Sequence, residues 1–202
     1  MILYVASSNA GKLRDFRTAA AETEGFDIQP LPGLADIPAP PEDEDTFEGN
    51  ARVKAAYYSR LAPGHWVIAD DSGLEVDTLN GLPGVRSARY SADLGTAPTG
   101  RGLDADNNEA LLLALNNSSE RHGRYRCALA LAMDGHVEAV GVGQLARPHQ
   151  KKPPGEYGFG YDPLFFAPEL NCSMAEASPE DRLRVSHRGR ALRALLRQWR
   201  AC

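Results

Sequence analysis

The sequence predicts an α/β protein with a mixed β-sheet, and three observations predict it. An apolar pentapeptide at residues 2–6 is followed at once by a helical repeat, the strand-to-helix order of an α/β unit. Two strand-like stretches, residues 124–133 and 136–145, flank Asp134-Gly135, a pair suited to the positive φ angles of a type I′ turn. That hairpin excludes a purely parallel sheet. Finally, Leu192, Leu195, Leu196 and Trp199 fall at i, i+3, i+4 and i+7, the apolar stripe of a helix that docks on a core.

The remaining elements follow in order. Residues 12–21 read as a helix with Leu13, Phe16 and Ala20 on one face, and residues 26–29 as a second strand. Five prolines and five acids crowd residues 30–45, so an extended surface loop is expected there. Thr46 is placed to cap a helix over residues 47–61. Residues 65–69 read as a buried strand that delivers Asp70 and Asp71 at its end. Glycine, proline and serine make residues 81–101 irregular, and residues 106–115 form a short helix with Leu111, Leu112 and Leu115 inward. Ser178-Pro179-Glu180-Asp181 has the cap, N1 proline and first-turn acids of a helix start, and Ser186 can cap the final helix.

Composition narrows the function. With 43% hydrophobic and 24% charged residues over 202 positions, the chain has the makeup of a globular protein with a substantial core. Its apolar runs are too short to span a bilayer and it opens with no basic, cleavable leader, so no membrane association and a cytoplasmic location are expected. The three cysteines, Cys127, Cys172 and Cys202, form no CxxC pair, which argues against a zinc site or disulfide framework. A formal charge of −5 lacks the basic footprint of a duplex nucleic acid binder, although arginines gather between Arg182 and Arg200. An acidic protein that binds a polyanion must concentrate positive charge locally or recruit a metal.

Four segments carry chemistry. Ser7, Ser8, Asn9, Ala10, Gly11 and Lys12 lie between a strand and a helix, where backbone N–H groups and the helix dipole face an anion. It is not a Walker A loop, whose glycine spacing is longer. Lys12 is a cation at a helix start, unfavourable unless an anion arrives. Asp70-Asp71-Ser72-Gly73 follows an apolar strand. Carboxylates there can hold Mg²⁺, which prefers hard oxygen ligands, or take a proton from water. Successive strand side chains point to opposite faces, so the two aspartates need not share a ligand. Asp70 reads equally as an acid capping a turn. Phe159, Gly160, Tyr161 and Asp162 form a glycine-aromatic loop in which Phe159 or Tyr161 can stack on a base or simply fill a core. His187 and Arg188, at a helix start, are donors for base carbonyls or phosphate, and equally ordinary residues of a solvated surface.

Taken in order, SSNAGK, TFEGNARVKA, ADDSGLEVD with LPGVRSARYS, GFGYDPLF and SHRGRAL resemble the inosine triphosphate pyrophosphatase family, also called dITP/XTP pyrophosphatases, over nearly the whole chain. The resemblance implies one catalytic domain over residues 1–202. It would be an elongated mixed sheet flanked by helices, in two lobes around a deep cleft, and would form a homodimer. It implies Mg²⁺-dependent hydrolysis of purine nucleoside triphosphates with a 6-oxo base (ITP, dITP, XTP) to monophosphate and pyrophosphate, removing aberrant nucleotides. By resemblance, residues 7–12 hold the triphosphate, Asp71 is general base and metal ligand, and Ser72 contacts substrate. Phe159 to Asp162 line the base and sugar pocket, while His187 and Arg188 read the base. Arg182 stands where the family usually has lysine, which keeps the charge. Gly49 stands where the family usually has a metal-binding glutamate. Glu48, one residue earlier, is then the expected substitute ligand, with Asp70 also a possible ligand and Glu44 and Asp45 as further donors. Two other readings remain: a nucleotide-binding sensor without catalysis, motivated by Gly49, and a phosphatase of nucleotides or sugars using the same aspartates.

Overall fold

The computed structural model describes residues 1–21, 23, 25–148, 160–167, 169–178, 181 and 185–200. The elements are β1 (Ile2–Val5), α1 (Ala10–Ala21), β2 (Asp27–Pro30), α2 (Phe47–Arg60), β3 (Val67–Val76), α3 (Tyr90–Asp93), α4 (Leu103–Ala114), β4 (His122–Met133), β5 (His136–Pro148), β6 (Phe166–Ala167), β7 (Cys172–Ser173) and α5 (His187–Arg200). Five strands form one sheet in the order β2-β1-β3-β4-β5, and β6 and β7 form a separate antiparallel pair. Strand β1 pairs in parallel with β2, Leu3 opposite Ile28, and with β3, Tyr4 opposite Val67. At the hairpin, Asp134 and Gly135 take φ of 50° and 87°, the sign a type I′ turn requires. The α/β class with a mixed sheet is therefore as the sequence predicts.

One expectation needs correcting. The buried strand does not stop before the aspartates but runs on from Val67 through Asp70-Asp71-Ser72-Gly73 to Val76. Asp, Ser and Gly are poor strand formers in isolation, yet pairing within the sheet and the buried Leu74 and Val76 override that preference. Both carboxylates thus project from a strand interior, a stiffer mount than a strand end.

The chain divides into two compact units. The first comprises Met1–Ser72, Arg126–Gln144 and Leu183–Cys202. Its core joins Leu3, Val5, Ile28 and Ile68 to Leu129 and Leu131, with Phe16 and Ala20 from α1 and Leu192, Leu195 and Leu196 from α5. Helix α5 lies flush on β5 because β5 carries glycines there. A Cβ on Gly141 would fall on the Ala191 carbonyl, and one on Gly143 on the His187 carbonyl. The far end of α5 is pinned by Trp199, 4.8 Å from the Trp66 ring and 5.8 Å from Phe26.

The second unit comprises Gly73–Tyr125 and Leu145–Arg182. The stretch expected to be irregular holds two short helical turns, Gly84–Arg89 and α3. Ser87 organises it: its hydroxyl accepts from Leu74 N at 2.8 Å and donates to the Gly84 carbonyl at 2.6 Å. Asn107 on α4 accepts from Ser91 N at 2.9 Å and donates to Ala88 O at 3.1 Å, tying α3 to α4. At the expected helix start, Asp181 N donates to the Ser178 hydroxyl at 3.1 Å, and the helix beyond lies outside the described residues.

Candidate active site

The turn from β1 into α1 is capped by Asn9, whose Oδ1 accepts from Lys12 N at 3.0 Å, while Ser7 Oγ accepts from Asn9 N at 3.3 Å. Ser8, Asn9 and Ala10 are exposed. Ser7, Ser8 and Lys12 line a hollow of about 400 Å³, with Lys54, Glu42 and Asp70 as its other charged groups and Leu34, Ile37 and Tyr58 as apolar wall. That volume lies within the range of small-ligand sites. The anion that Lys12 needs at its helix start is present in the protein itself: Lys12 Nζ lies 2.7 Å from Asp70 Oδ2.

The two aspartates part company as adjacent strand residues do. Asp70 meets α1 through Lys12, and also accepts from Ser72 Oγ at 3.3 Å. Asp71 meets α2: Asn50 Nδ2 donates to its Oδ2 at 2.9 Å, and Lys54 Nζ lies 3.5 Å from its Oδ1. Lys54 also pairs with Glu42 at 2.9 Å. Asn50 and Lys54 share one face of α2 because they are four residues apart, and Thr46 starts that helix by accepting from Gly49 N at 3.0 Å. Neither residue was assigned a role from the sequence, and the i, i+4 spacing after a cap was the available signal.

Electrostatics separates the pair. Burial opposes ionisation of Asp70, but Lys12, Lys54 and Arg188 outweigh it and hold its carboxyl below the usual carboxylate range. For Asp71 burial wins over Lys54 and the Asn50 hydrogen bond, and its pKa rises. Burial likewise works against the Lys54 ammonium, but Asp70, Asp71 and Glu42 together raise its pKa. Asp70 is thus a fixed negative charge, and Asp71 the more proton-hungry of the two.

A depressed pKa makes Asp70 a source of stability that is present above the ordinary aspartate range and lost as pH falls through its lowered value. Asp70→Asn is therefore expected to destabilise the metal-free protein by roughly 1–3 kcal/mol near pH 7, the scale for breaking a pair whose lysine can still reach water. The gap to wild type should narrow as the pH falls below the ordinary aspartate range and through the lowered value of Asp70. Urea midpoints measured across that range check both statements, and a gap independent of pH contradicts them.

His187 and Arg188 are not part of a solvated surface. They are 2% and 8% exposed, at the first turn of α5, whose start is capped by Ser186 Oγ accepting from Gly189 N at 3.0 Å. Arg188 Nη1 lies 3.6 Å from the buried Asp15 of α1. Burial, then the charges of Arg188, Lys12 and Arg190, push the His187 pKa well below its usual value, so its ring is neutral at pH 7. A neutral imidazole donates one hydrogen bond and accepts another.

Of the other expected site residues, Gly160, Tyr161 and Asp162 belong to the second unit, and two lie outside the described residues. Gly160, with φ of 63°, donates to Asp104 at 2.8 Å and accepts from Asn108 at 2.9 Å. Tyr161 is buried and its hydroxyl donates to Ser87 O at 2.9 Å, while Asp162 is buried at the start of a short helical turn. Phe159 and Arg182 lie outside the described residues. Glu48 points to Arg126, Oε1 to Nη2 at 2.8 Å.

A strand-helix turn beside a polar hollow, with two lysines paired to two buried strand aspartates, defines an α/β protein with a charged candidate site. Comparison with known proteins makes this specific: residues 3–198 match the Ham1 family, and the chain belongs to it. A dITP/XTP pyrophosphatase of Acidobacterium capsulatum is 54% identical over 198 residues, covering 97% of both chains. Among solved structures, a HAM1 protein from Coxiella burnetii is 30% identical with a TM-score of 0.82, over 100% of both chains. A nucleoside-triphosphatase, dITP/XTP pyrophosphatase, from Mycobacterium abscessus is 37% identical with a TM-score of 0.69, covering 96% of this chain and 97% of that one.

Proposed function

We propose that this protein hydrolyses noncanonical purine nucleoside triphosphates, ITP, dITP and XTP, to the monophosphate and pyrophosphate. The observation that carries the reading is the placement of Asp71 in a strand interior, gripped by Asn50 and Lys54, close in sequence and charge to the Lys12–Asp70 pair. Family membership and relatives named dITP/XTP pyrophosphatase support it.

The triphosphate brings about four negative charges, so catalysis depends first on neutralising them. Lys12 and the exposed N–H groups of the Ser7–Lys12 turn bind phosphate oxygens at the dipole end of α1. Asp71, its carboxyl made more basic by burial, orients a water and takes its proton as the water attacks the α-phosphorus. Lys54 and Asn50 fix the Asp71 carboxylate in one rotamer for that transfer. Ser72 and Arg182 extend the polar contacts to substrate, and the segment from Phe159 to Asp162 shapes the base and sugar pocket. His187 and Arg188 offer donors to the 6-oxo group. Adenine presents an amine at the same place, setting donor against donor, a mismatch that can be worth on the order of 10⁴ in selectivity.

Oxygen donors suit a divalent cation, Mg²⁺ foremost, and Asp71 is the residue that would hold it, since Asp70 pairs with Lys12 and Glu48 with Arg126. Among the described residues no three His, Cys, Asp or Glu side chains converge as a closed metal cage. That fits Mg²⁺, which commonly takes one or two carboxylates and completes its shell with phosphate oxygens and water. When bound, the cation would neutralise charge on the leaving pyrophosphate. Among the described residues no helix is long and apolar enough to cross a membrane. A homodimer acting in the cytoplasm on free nucleotides completes the reading.

Product analysis with ATP, GTP, ITP and XTP in Mg²⁺ tests it. Pyrophosphate release with kcat/KM for ITP well above that for ATP is expected, and release of orthophosphate instead overturns it. His187→Ala should compress the ITP/ATP ratio by at least about fivefold, since a buried donor is worth roughly 1–3 kcal/mol. An unchanged ratio removes His187 from base reading.

A further inference from the structure

Gly49 is one of the two positions where the resemblance implies a different residue, a metal-binding glutamate, and the structure shows what fills that space. A Cβ built on Gly49 would lie 2.8 Å from Glu44 Cβ, 3.1 Å from Glu44 Cγ and 3.0 Å from Glu44 Oε2. The Glu44 side chain, carboxylate included, therefore occupies the space into which a residue-49 side chain would grow. This placement is fixed by the backbone. Asn50 Oδ1 accepts from Glu44 N at 3.1 Å, and Asn50 Nδ2 makes a longer contact of 3.4 Å to Glu44 O. The same Nδ2 donates to Asp71 Oδ2 at 2.9 Å. One buried amide thus sets both the Glu44 main chain and the Asp71 carboxylate. Among the described residues no ion pair or hydrogen bond holds the Glu44 carboxylate, whereas Glu48 is committed to Arg126 and Glu42 to Lys54.

We propose that Glu44 supplies the second carboxylate of the divalent-cation site beside Asp71, in place of the side chain that Gly49 lacks. Gly49 and Glu44 are then one device: the glycine is required because the glutamate lies over it. The proposal rests on the function proposed above, but its test reads metal binding rather than turnover.

Mn²⁺ is titrated into the substrate-free protein and free ion is followed by its EPR signal, for wild type, Glu44→Gln, Glu48→Gln and the double variant Glu44→Ala/Gly49→Glu. Glutamine at 44 keeps the main-chain contacts with Asn50, so the fold is retained, as circular dichroism should verify. Glu44→Gln is expected to weaken Mn²⁺ binding at least about tenfold, the lower end for disturbing a metal's supporting groups. Glu48→Gln should leave it unchanged, and the double variant should recover most of what Glu44→Gln loses. Unchanged binding in Glu44→Gln, an equal loss in Glu48→Gln, or a wild type that binds no Mn²⁺ overturns the assignment. So does a folded double variant as weak as Glu44→Gln. Pyrophosphate release from ITP is assayed separately. A wild type that binds Mn²⁺ through Glu44 but releases no pyrophosphate refutes the reaction and leaves the ligand in place.

Discussion

Asp71→Asn is expected to lower pyrophosphate release from ITP by at least about 10²-fold, the usual scale for losing a general base, while the protein stays folded. The substitution is nearly isosteric, and the amide can still accept from Asn50 and sit beside Lys54, so packing is preserved. What it removes is the negative charge and the proton-accepting oxygen. Single-turnover rates with saturating Mg²⁺, beside a thermal melt, separate chemistry from folding. A rate within a few fold of wild type, with an unchanged melt, would sink the assignment of Asp71 as base.

The second large effect is structural. Gly143→Val is expected to cost at least ~3 kcal/mol, because the new side chain meets the His187 carbonyl and the Ala191 backbone nitrogen rather than a flexible side-chain tip. For a chain of this size that corresponds to a fall in Tm of roughly 6–12 °C. The relief available is to lift the first turn of α5 off β5, which carries His187 and Arg188 away from their present positions. Base discrimination should therefore weaken in step with stability, a coupling absent from Gly→Val changes at exposed turns. Differential scanning calorimetry checks the first statement and the ITP/ATP ratio the second. A Tm within two degrees of wild type, by the same conversion well under ~1.5 kcal/mol, would mean the helix does not sit as tightly as described.

Much of this was legible in the sequence, for reasons tied to particular residues. The Asp134-Gly135 turn, the Thr46 cap and the Leu192-Leu195-Leu196-Trp199 stripe are local signals, and local signals survive translation into structure. Lys12 and Asp71 stood out because a cation at a helix start and a carboxylate after an apolar strand are each costly without a partner. What the sequence hid was set by contacts between distant segments. Strand β3 reads as ending at Ala69 because Asp-Asp-Ser-Gly looks like a turn until neighbouring strands pair with it. His187 reads as solvated because nothing local reveals that glycines on β5 let the start of α5 sink onto the sheet. The position of Glu44 over Gly49 depends on a loop whose path is set by the Asn50 amide, and no periodicity encodes that path.

The order in which the first unit is assembled has a consequence for how the chain matures. Its core joins β1 and α1 to α5, elements separated by well over a hundred residues of chain. Until α5 forms, Phe16, Ala20, Leu129 and Leu131 lack the part of their core that Leu192, Leu195 and Leu196 supply, and a chain folded only as far as β5 carries exposed apolar surface. Pairings so distant along the chain close slowly, and an open sheet is vulnerable to association meanwhile. A chain stalled between β5 and residue 187 would therefore be a client for chaperones, and the fourteen-residue helix α5 acts as the latch that ends that exposure.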